Sequence, residues 1–383
     1  MALTAFLTSS CQQAQKKGSN KNQASIYHII KLPISPPISI VEKKGLTAAC
    51  SAWYDSVLSN SVFNGGILVA KNGHIVFERY RGYEPKSKKD TVNEITRFHI
   101  ASVSKTFTAM AVLKLMEEGK LHLSDLLNKY FPAFDYPGVT IQTLLNHRSG
   151  IPNYQYFMEK LKWPSTVMMC NQDVLDYLIL HKANIEDIGP ADQHFSYSNT
   201  NFVLLALLIE KITGTSYPTY LKQTFFDPLQ MQQTFVYTRT DSARASFNYD
   251  GRGNQIHNNY LDEVYGDKNI YSTPRNLLIW DRALSSGLLF KDSTLQAAYK
   301  GYSNEKPGIK NYGLGWRMNN YTNGKKVIFH NGWWHGNNAT FIRLLHEDAT
   351  IIVLGNQYTS KVYDAYQLVN SFGHYFTTSK EIE

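Results

Sequence analysis

The chain has 383 residues, 43% of them hydrophobic and 18% charged, which is the composition of a globular protein rather than of a disordered one. Its formal net charge of +8 is not gathered into a basic stripe, because the one dense basic stretch is KSKKD at residues 86–90, so no nucleic-acid partner is expected. The longest apolar run, FVLLALLI at residues 202–209, is too short to span a membrane.

Cysteine and histidine usage argues against a metal site. The cysteines, Cys11, Cys50 and Cys170, are too few for a disulfide framework and form no C-x-x-C motif. No H-E-x-x-H pair occurs, and His330 and His335 are five residues apart, which fits neither one helix face nor one strand face. We therefore expect neither a catalytic metal nor a cofactor.

The first residues form a separate segment. A short apolar run ends in small residues and Cys11, and a polar, basic tail follows. This pattern resembles the end of a bacterial lipoprotein signal, in which Cys11 would be lipidated and residues 1–25 would tether the protein to the cell envelope. The run is short and has no positive region before it, so a disordered N-terminus with an incidental cysteine is the alternative.

The pattern after the proline-rich residues 31–40 predicts a helix at 41–61 and then a β-hairpin with its turn at Asn72-Gly73. A helix then begins near Ser102 and ends near Gly119. Helical patterns follow in the stretches SDLLNKYF, TIQTLLNHRSG, TNFVLLALLIEKITG and SYPTYLKQTFF. After residue 310 the strand-like stretches are KVIFHNG, NATFIRLL and ATIIVLGNQ, and an amphipathic VYDAYQLVNSFGHYF closes the chain.

Strands at both ends with helices between them predict a mixed α/β (α+β) fold. One central antiparallel sheet would be made from both chain ends and flanked by helices, with a mostly helical subdomain inserted. We expect a single domain over residues 26–383, with the α/β part at about 40–119 and 290–383 and the helical part at about 120–289. A cleft should form where the two parts meet.

The stretch HIASVSKTFTAM places Ser102 and Lys105 one helical turn apart. A serine hydroxyl needs a neighbouring base to become a nucleophile, and a lysine can be that base when burial or nearby charge favours its neutral form. Ser104 is turned away from Lys105 and is the poorer candidate. Alone, S-x-x-K is weak evidence, because it recurs as SNEK at residues 303–306 and also fits a capping serine beside a surface lysine.

Two further motifs follow in the chain. FSYSNTN contains Tyr197 and Asn199 directly before an apolar helix, and VIFHNGWWHG contains His330 and Gly332 within a strand. A glycine inside a strand indicates close backbone approach by another group, such as a substrate. A β-bulge at Gly332 and a half-buried structural histidine at His330 are the alternatives.

The order S-x-x-K, Y-x-N, H-x-G resembles the serine β-lactamase and DD-peptidase superfamily, in particular its class C-like branch. Tyr197 stands where the superfamily motif S-D-N has serine, and His330 stands where K-T-G has lysine. Other similar stretches occur in the family's order over about residues 45–380: LLNHRSGIPNY, DPLQM, YSTPRNL and YGLGW. The resemblance implies a β-lactamase-like catalytic domain.

The resemblance also implies how the reaction would run. Ser102 would attack a carbonyl and carry the acyl group, and Lys105 with Tyr197 would move the serine proton to the leaving group. His330 would sit beside Tyr197 and tune it, or bind a substrate carboxylate when protonated.

Substrate binding is implied for three further residues. Asn199 would hydrogen-bond the substrate amide, and Gly332 and Trp333 would line the site. The backbone N–H groups of Ser102 and Trp333 would form the oxyanion hole.

The implied function is a serine hydrolase that forms an acyl-enzyme on an amide or ester, most simply a peptidase or esterase for a D-amino-acid peptide or small ester. A true β-lactamase is the alternative, and a non-catalytic envelope binding protein is the alternative of another class. The expected partner is a small-molecule or peptide substrate, and the oligomeric state is left open.

Two departures from the family pattern bear on the substrate. Trp333 and Trp334 lie where smaller residues are expected, and one of them should face the cleft and crowd it. In YGDKNIYSTP, Lys268 and Asn269 replace small residues and glycine, so this loop is either a specificity element or neutral variation.

Overall fold

The computed structural model describes residues 28–84, 90–186 and 188–376, so the predicted tether at residues 1–25 and Cys11 lie outside the described residues. The strands are β1 (Gly65–Lys71), β2 (His74–Arg81), β3 (Phe98–His99), β4 (Phe235–Val236), β5 (Asn248–Tyr249), β6 (Gln255–Ile256), β7 (Ile270–Ser272), β8 (Lys310–Tyr312), β9 (Arg317–Asn320), β10 (Lys326–Trp334), β11 (Asn337–Leu344) and β12 (Ala349–Gly355). The α-helices are α1 (Ile40–Trp53), α2 (Ser104–Glu117), α3 (Ile141–Leu145), α4 (Tyr154–Lys160), α5 (Asn171–Leu180), α6 (Asn199–Thr213), α7 (Tyr217–Leu221), α8 (Pro274–Ser285) and α9 (Asp292–Ala298).

A seven-stranded antiparallel sheet lies at the centre, in the order β2-β1-β12-β11-β10-β9-β8. It joins the two ends of the fold, because β1 pairs with β12 from Gly65 opposite Gly355 to Lys71 opposite Ala349. The predicted hairpin is β1–β2, and both turn residues are left-handed, with φ of 51° at Asn72 and 71° at Gly73. The predicted sheet built from both chain ends is confirmed.

The sheet is apolar on both faces, since alternate side chains of a strand point to opposite sides. In β12, Ile352 and Leu354 belong to the core shared with α2 and the other helices of the chain's middle part. Ile351 and Val353 belong to a second core, shared with α1 and the C-terminal segment. The fold is therefore a sheet between two helical layers.

Helix α2 is buried around nearly its whole circumference. Its polar side chains are buried because each has a hydrogen-bond partner. The Ser104 hydroxyl accepts from the Ile270 N–H at 3.1 Å, and the Thr108 hydroxyl donates to the Gly266 carbonyl at 2.6 Å. The helix is thus the central element between the sheet and the helical part.

The predicted helical middle is present but more broken than expected. SDLLNKYF forms a single 3₁₀ turn at Leu127–Lys129, and the C-terminal stretch forms a 3₁₀ helix at Ser360–Ser371. The short strands β3 to β7 had no clear sequence signal. The boundaries between the α/β part and the helical part, near residues 120 and 290, stay predictions. Within the described ranges, no helix combines the length and apolar character needed to cross a bilayer.

The YGLGW stretch fixes the position of α2. Gly315 has φ of 80°, and a side chain there would overlap the Ala109 methyl group on the helix. We expect Gly315→Ala to lower the free energy of unfolding by about 2–4 kcal/mol, from left-handed strain and overpacking together. Chemical denaturation measures this. Gly324→Ala is the matched control, because Gly324 has φ of 82° but open space around it, and it should cost about 1–2 kcal/mol. Equal losses in the two variants would contradict the close packing of Gly315 on α2.

Candidate active site

Ser102 lies in a tight turn rather than in the first turn of the α-helix. The 3₁₀ turn Ala101–Val103 connects β3 to α2, and the α-helix begins at Ser104. Ala101 has φ of 47°, and its N–H donates to Nδ1 of His99 at 3.0 Å. A left-handed alanine is strained, and such strain persists where surrounding contacts enforce it, often at functional sites. The turn presents Ser102, partly exposed, to a cleft.

Lys105 is fully buried behind Ser102, and its Nζ contacts three oxygens. These are Ser102 Oγ at 3.0 Å, Asn199 Oδ1 at 2.8 Å and the Asp267 carbonyl at 2.7 Å. The amide and carbonyl oxygens can only accept, so they take two N–H bonds from the lysine. The third direction of Nζ therefore faces Ser102, whose hydroxyl can donate to the lone pair of a neutral lysine. The arrangement suits proton transfer from Ser102 to Lys105.

Tyr197 packs beside this pair and beside a second cation. Lys105 Nζ lies 5.1 Å, and Arg317 Cζ 4.9 Å, from the centre of the Tyr197 ring. The ring of His147, from the LLNHRSG stretch, is 4.2 Å away, centre to centre. The phenol is thus held in an electropositive aromatic pocket that opens to the cleft.

His330 is fully buried, and its hydrogen bonds go to neighbours other than Tyr197. Its Nε2 is 3.1 Å from the Tyr312 hydroxyl and its Nδ1 is 2.7 Å from the Asn331 carbonyl. Because a carbonyl can only accept, Nδ1 carries the proton and Nε2 accepts from Tyr312. Burial first, then Arg317 and Lys105, lower the pKa of His330 well below its usual value. The neutral imidazole carries no positive charge, so binding of a substrate carboxylate by a protonated His330 stays a prediction.

Gly332 brings β10 against the turn that carries Ser102. A Cβ at this position would lie 2.5 Å from the Ile100 carbonyl oxygen and 3.0 Å from the Ser102 nitrogen. The close approach expected from a strand glycine is therefore made by the Ser102 turn. Strand β9 pairs with β10 only from Lys326 to Phe329, so the rest of β10 borders the cleft.

The cleft has a volume of ≈ 770 Å³ and places the motif residues together. Its lining includes Ser102, Tyr197, Asn199, Gly332, Trp333 and Trp334. Trp333 is 63% exposed and contacts the Tyr358 ring, edge to face, at 6.2 Å between ring centres. Both tryptophans therefore line the cleft, whereas the sequence predicted this for one of them.

The charged groups in the cleft lining are mainly cationic. Lys310 and Arg317 line it, and among the described residues neither forms an ion pair. The acidic lining residue Asp364 is paired with Lys361 at 3.0 Å. In the same described part, no group of three or more His, Cys, Asp or Glu side chains is placed to hold a metal ion.

Several site residues were not predicted from the sequence. Asp267 acts through its backbone carbonyl, which no side-chain motif can reveal. Gln155 accepts from Asn199 Nδ2 at 3.1 Å and so orients the amide toward Lys105. Tyr312 is the first residue of the YGLGW stretch and Arg317 directly follows its last residue, so the family likeness of that stretch was the one available signal.

A serine facing a buried lysine, with the motif order S-x-x-K, Y-x-N, H-x-G on this mixed α/β fold, defines a serine hydrolase of the β-lactamase/transpeptidase-like class. The family model described as Beta-lactamase matches residues 58–371, so the chain belongs to the beta-lactamase family. The resemblance to the serine β-lactamase and DD-peptidase superfamily is confirmed. The alternative of a non-catalytic binding protein finds no support.

Individual proteins agree with this membership. Penicillin-binding protein 4* of Bacillus subtilis (strain 168) is 31% identical over 319 residues, which are 79% of this chain and 70% of that protein. The crystal structure of a penicillin binding protein from Bacillus halodurans has a TM-score of 0.73 at 24% identity, covering 85% of this chain and 98% of that one. D-amino acid amidase from Ochrobactrum anthropi SV3 has a TM-score of 0.69 at 20% identity, covering 85% and 97%.

Three buried histidines around the site make stability depend on pH. Burial lowers the pKa of His99 to about 4, and the pKa values of His147 and His330 lie well below 6.5. Below about pH 6.5 the unfolded chain binds protons at these histidines that the folded chain does not bind. The free energy of unfolding is therefore highest above that pH and falls as the pH drops. Each histidine contributes a slope of about 1.4 kcal/mol per pH unit.

We expect His99→Gln to reduce the slope of unfolding free energy against pH, between about pH 6.5 and 5, by roughly 1.4 kcal/mol per unit. Denaturant titrations at several pH values measure it. His257→Gln is the control, because His257 is exposed. An unchanged slope in His99→Gln would show that His99 already binds its proton in the folded protein.

Proposed function

We propose that the chain is a serine hydrolase that forms an acyl-enzyme on an amide or ester, of the peptidase or esterase type. The observation that carries this is the 3.0 Å contact between Lys105 Nζ and Ser102 Oγ, with the other two Nζ contacts made to acceptors. This geometry supports the roles of base for Lys105 and nucleophile for Ser102.

The proposed reaction uses these groups in turn. Lys105 takes the proton of Ser102 as Oγ bonds to the substrate carbonyl carbon, and the proton then passes by way of Tyr197 to the departing nitrogen or oxygen. The acyl group stays on Ser102 until water attacks, which releases the acid and restores the hydroxyl. The N–H groups of Ser102 and Trp333 are the proposed oxyanion donors, and losing one such donor typically costs about 2.7–4 kcal/mol of barrier.

The substrate is proposed to be a D-amino-acid peptide or a small ester, with a β-lactam as the second candidate. D-amino acid amidase supports a D-amino-acid substrate by its name, and penicillin-binding protein 4* supports the β-lactam candidate by its name. The cations Lys310 and Arg317 favour substrates that carry a carboxylate, since a guanidinium binds that group with two hydrogen bonds. The exposed Trp333 at the cleft mouth favours a bulky or apolar acyl group over a compact bicyclic ring.

Replacement of the nucleophile separates activity from stability. We expect Ser102→Ala to lower hydrolysis at least a thousandfold, since the bond-forming atom is lost, with the melting temperature nearly unchanged. Fluorophosphonate labelling, then a panel of esters, D-aminoacyl peptides and a chromogenic cephalosporin, measures the loss.

Ser104→Ala is the matched control. It leaves the buried Ile270 N–H without its acceptor and should cost about 1–3 kcal/mol of stability while hydrolysis falls less than about tenfold. A larger activity loss at Ser104 than at Ser102 would assign the nucleophile to Ser104.

Two variants identify the base. Lys105→Arg keeps the charge but cannot give up a proton, so its acylation rate should fall nearly as far as that of Ser102→Ala. His330→Gln keeps a hydrogen-bonding group and should retain measurable turnover. Rapid-mixing acylation of Ser102 measures both, and the reverse result, an active Lys105→Arg with an inactive His330→Gln, would make His330 the base.

A further inference from the structure

A second buried lysine lies directly behind the first. Lys268 is 2% exposed and its neighbour Asp267 is 1% exposed, and the Asp267 carbonyl is the group that holds Lys105. Lysine and aspartate are almost never fully buried unless they are paired.

The contacts of Lys268 fix its ammonium group. Its Nζ donates to the Tyr154 hydroxyl at 2.7 Å and to the Val264 carbonyl at 3.1 Å. It lies 4.8 Å from the centre of the Trp334 ring, which reaches the cleft. The Asp267 carboxylate is 3.7 Å away and also accepts from the Tyr154 hydroxyl at 3.3 Å. The Lys268 ammonium, the Asp267 carboxylate and the Tyr154 hydroxyl thus contact one another in one buried cluster.

The Asp267 carboxylate opposes the chemistry proposed for Lys105. Its Oδ1 is buried and has no hydrogen-bond partner among the described residues, so compensation of its charge depends on Lys268, whose Nζ is 3.7 Å away. A buried carboxylate stabilises a nearby ammonium, and a lysine in the ammonium form cannot accept a proton. Lys268 acts in the opposite direction, because a positive neighbour favours the neutral form of a lysine. Burial lowers the pKa of Lys268 itself, and the nearby charge of Lys105 lowers it further. The carboxylates of Asp267 and Asp262 act in the opposite direction and raise this pKa.

We propose that Lys268 is a positioning residue whose charge cancels that of Asp267 at Lys105 and so keeps Lys105 able to accept the Ser102 proton. This rests on the proposed function, because it concerns the same base. The loop that the sequence left as a specificity element or neutral variation is, on this proposal, the electrostatic support of that base.

Other charged and titratable groups face the two lysines. Those around Lys105 are Tyr197, His147, His330 and Arg317, and those around Lys268 are Tyr154, Asp262, His335 and His99. These groups stay unchanged when Asp267 and Lys268 are substituted, singly and together. Comparison of the two single variants with the double variant therefore isolates the effect of this pair.

The test is the rate of Ser102 labelling by a fluorophosphonate from about pH 5 to 10, in the full chain. This readout needs no knowledge of the substrate. Lys268→Met should move the acid limb to higher pH by about one unit, because Lys105 then faces an uncompensated carboxylate. Asp267→Asn should move it to lower pH, and Asp267→Asn/Lys268→Met should return it to within about 0.3 unit of the wild type.

Lys211→Met is the matched control, because it removes one positive charge from the exposed end of α6 and should leave the limb in place. A lowered plateau without a moved limb in Lys268→Met would show a merely structural role and overturn the proposal. So would an unmoved limb in Asp267→Asn, which keeps Lys268 and serves if Lys268→Met does not fold. Absence of Ser102 labelling in the wild type at every pH would instead overturn the proposed function, and this proposal with it.

Discussion

Lys105 extends its side chain into a space that water does not reach, and its nitrogen meets groups from three separate parts of the chain. Ser102 comes from the turn before α2, Asn199 from the start of α6, and the Asp267 carbonyl from the loop before β7. Burying an amine is costly unless each of its hydrogen-bonding directions is used. The turn before α2, the start of α6 and the loop before β7 must therefore all be in place before this one nitrogen has its hydrogen-bond partners.

The packing of α2 shows how the fold meets that requirement. A helix that is buried on nearly all sides cannot rotate or slide without breaking contacts to both the sheet and the helical part. The glycines that touch it act in the same direction, since Gly315 allows contact with Ala109 and Gly332 allows contact with the Ser102 nitrogen. The site geometry is thus held by backbone contacts as much as by side chains.

Much of this could be read from the sequence. The hairpin at Asn72-Gly73, the terminal strands and the three motifs are local signals, and they predicted the sheet and the residues that line the cleft. The α-helix predicted over SDLLNKYF was wrong, because its apolar residues serve a loop that pairs Leu127 with Val139 rather than a helix face. The contributions of Asp267 and Arg317 could not be predicted, since one acts through its backbone and the other through a ring contact made by the fold. Lys268 was visible as an oddity, but its meaning needed the burial of its neighbours.

The pairing of β1 with β12 has a consequence for how the molecule is made. Gly65 finds its partner Gly355 only after nearly the whole domain has left the ribosome, and β10, which contacts the Ser102 turn, also comes late. Closing a loop over such a separation is slow. Until it closes, the apolar faces of the β1–β2 hairpin have no other element to pack against. The nucleophile is therefore synthesised early but gains its surroundings last, so a nascent or truncated chain carries a serine without a site.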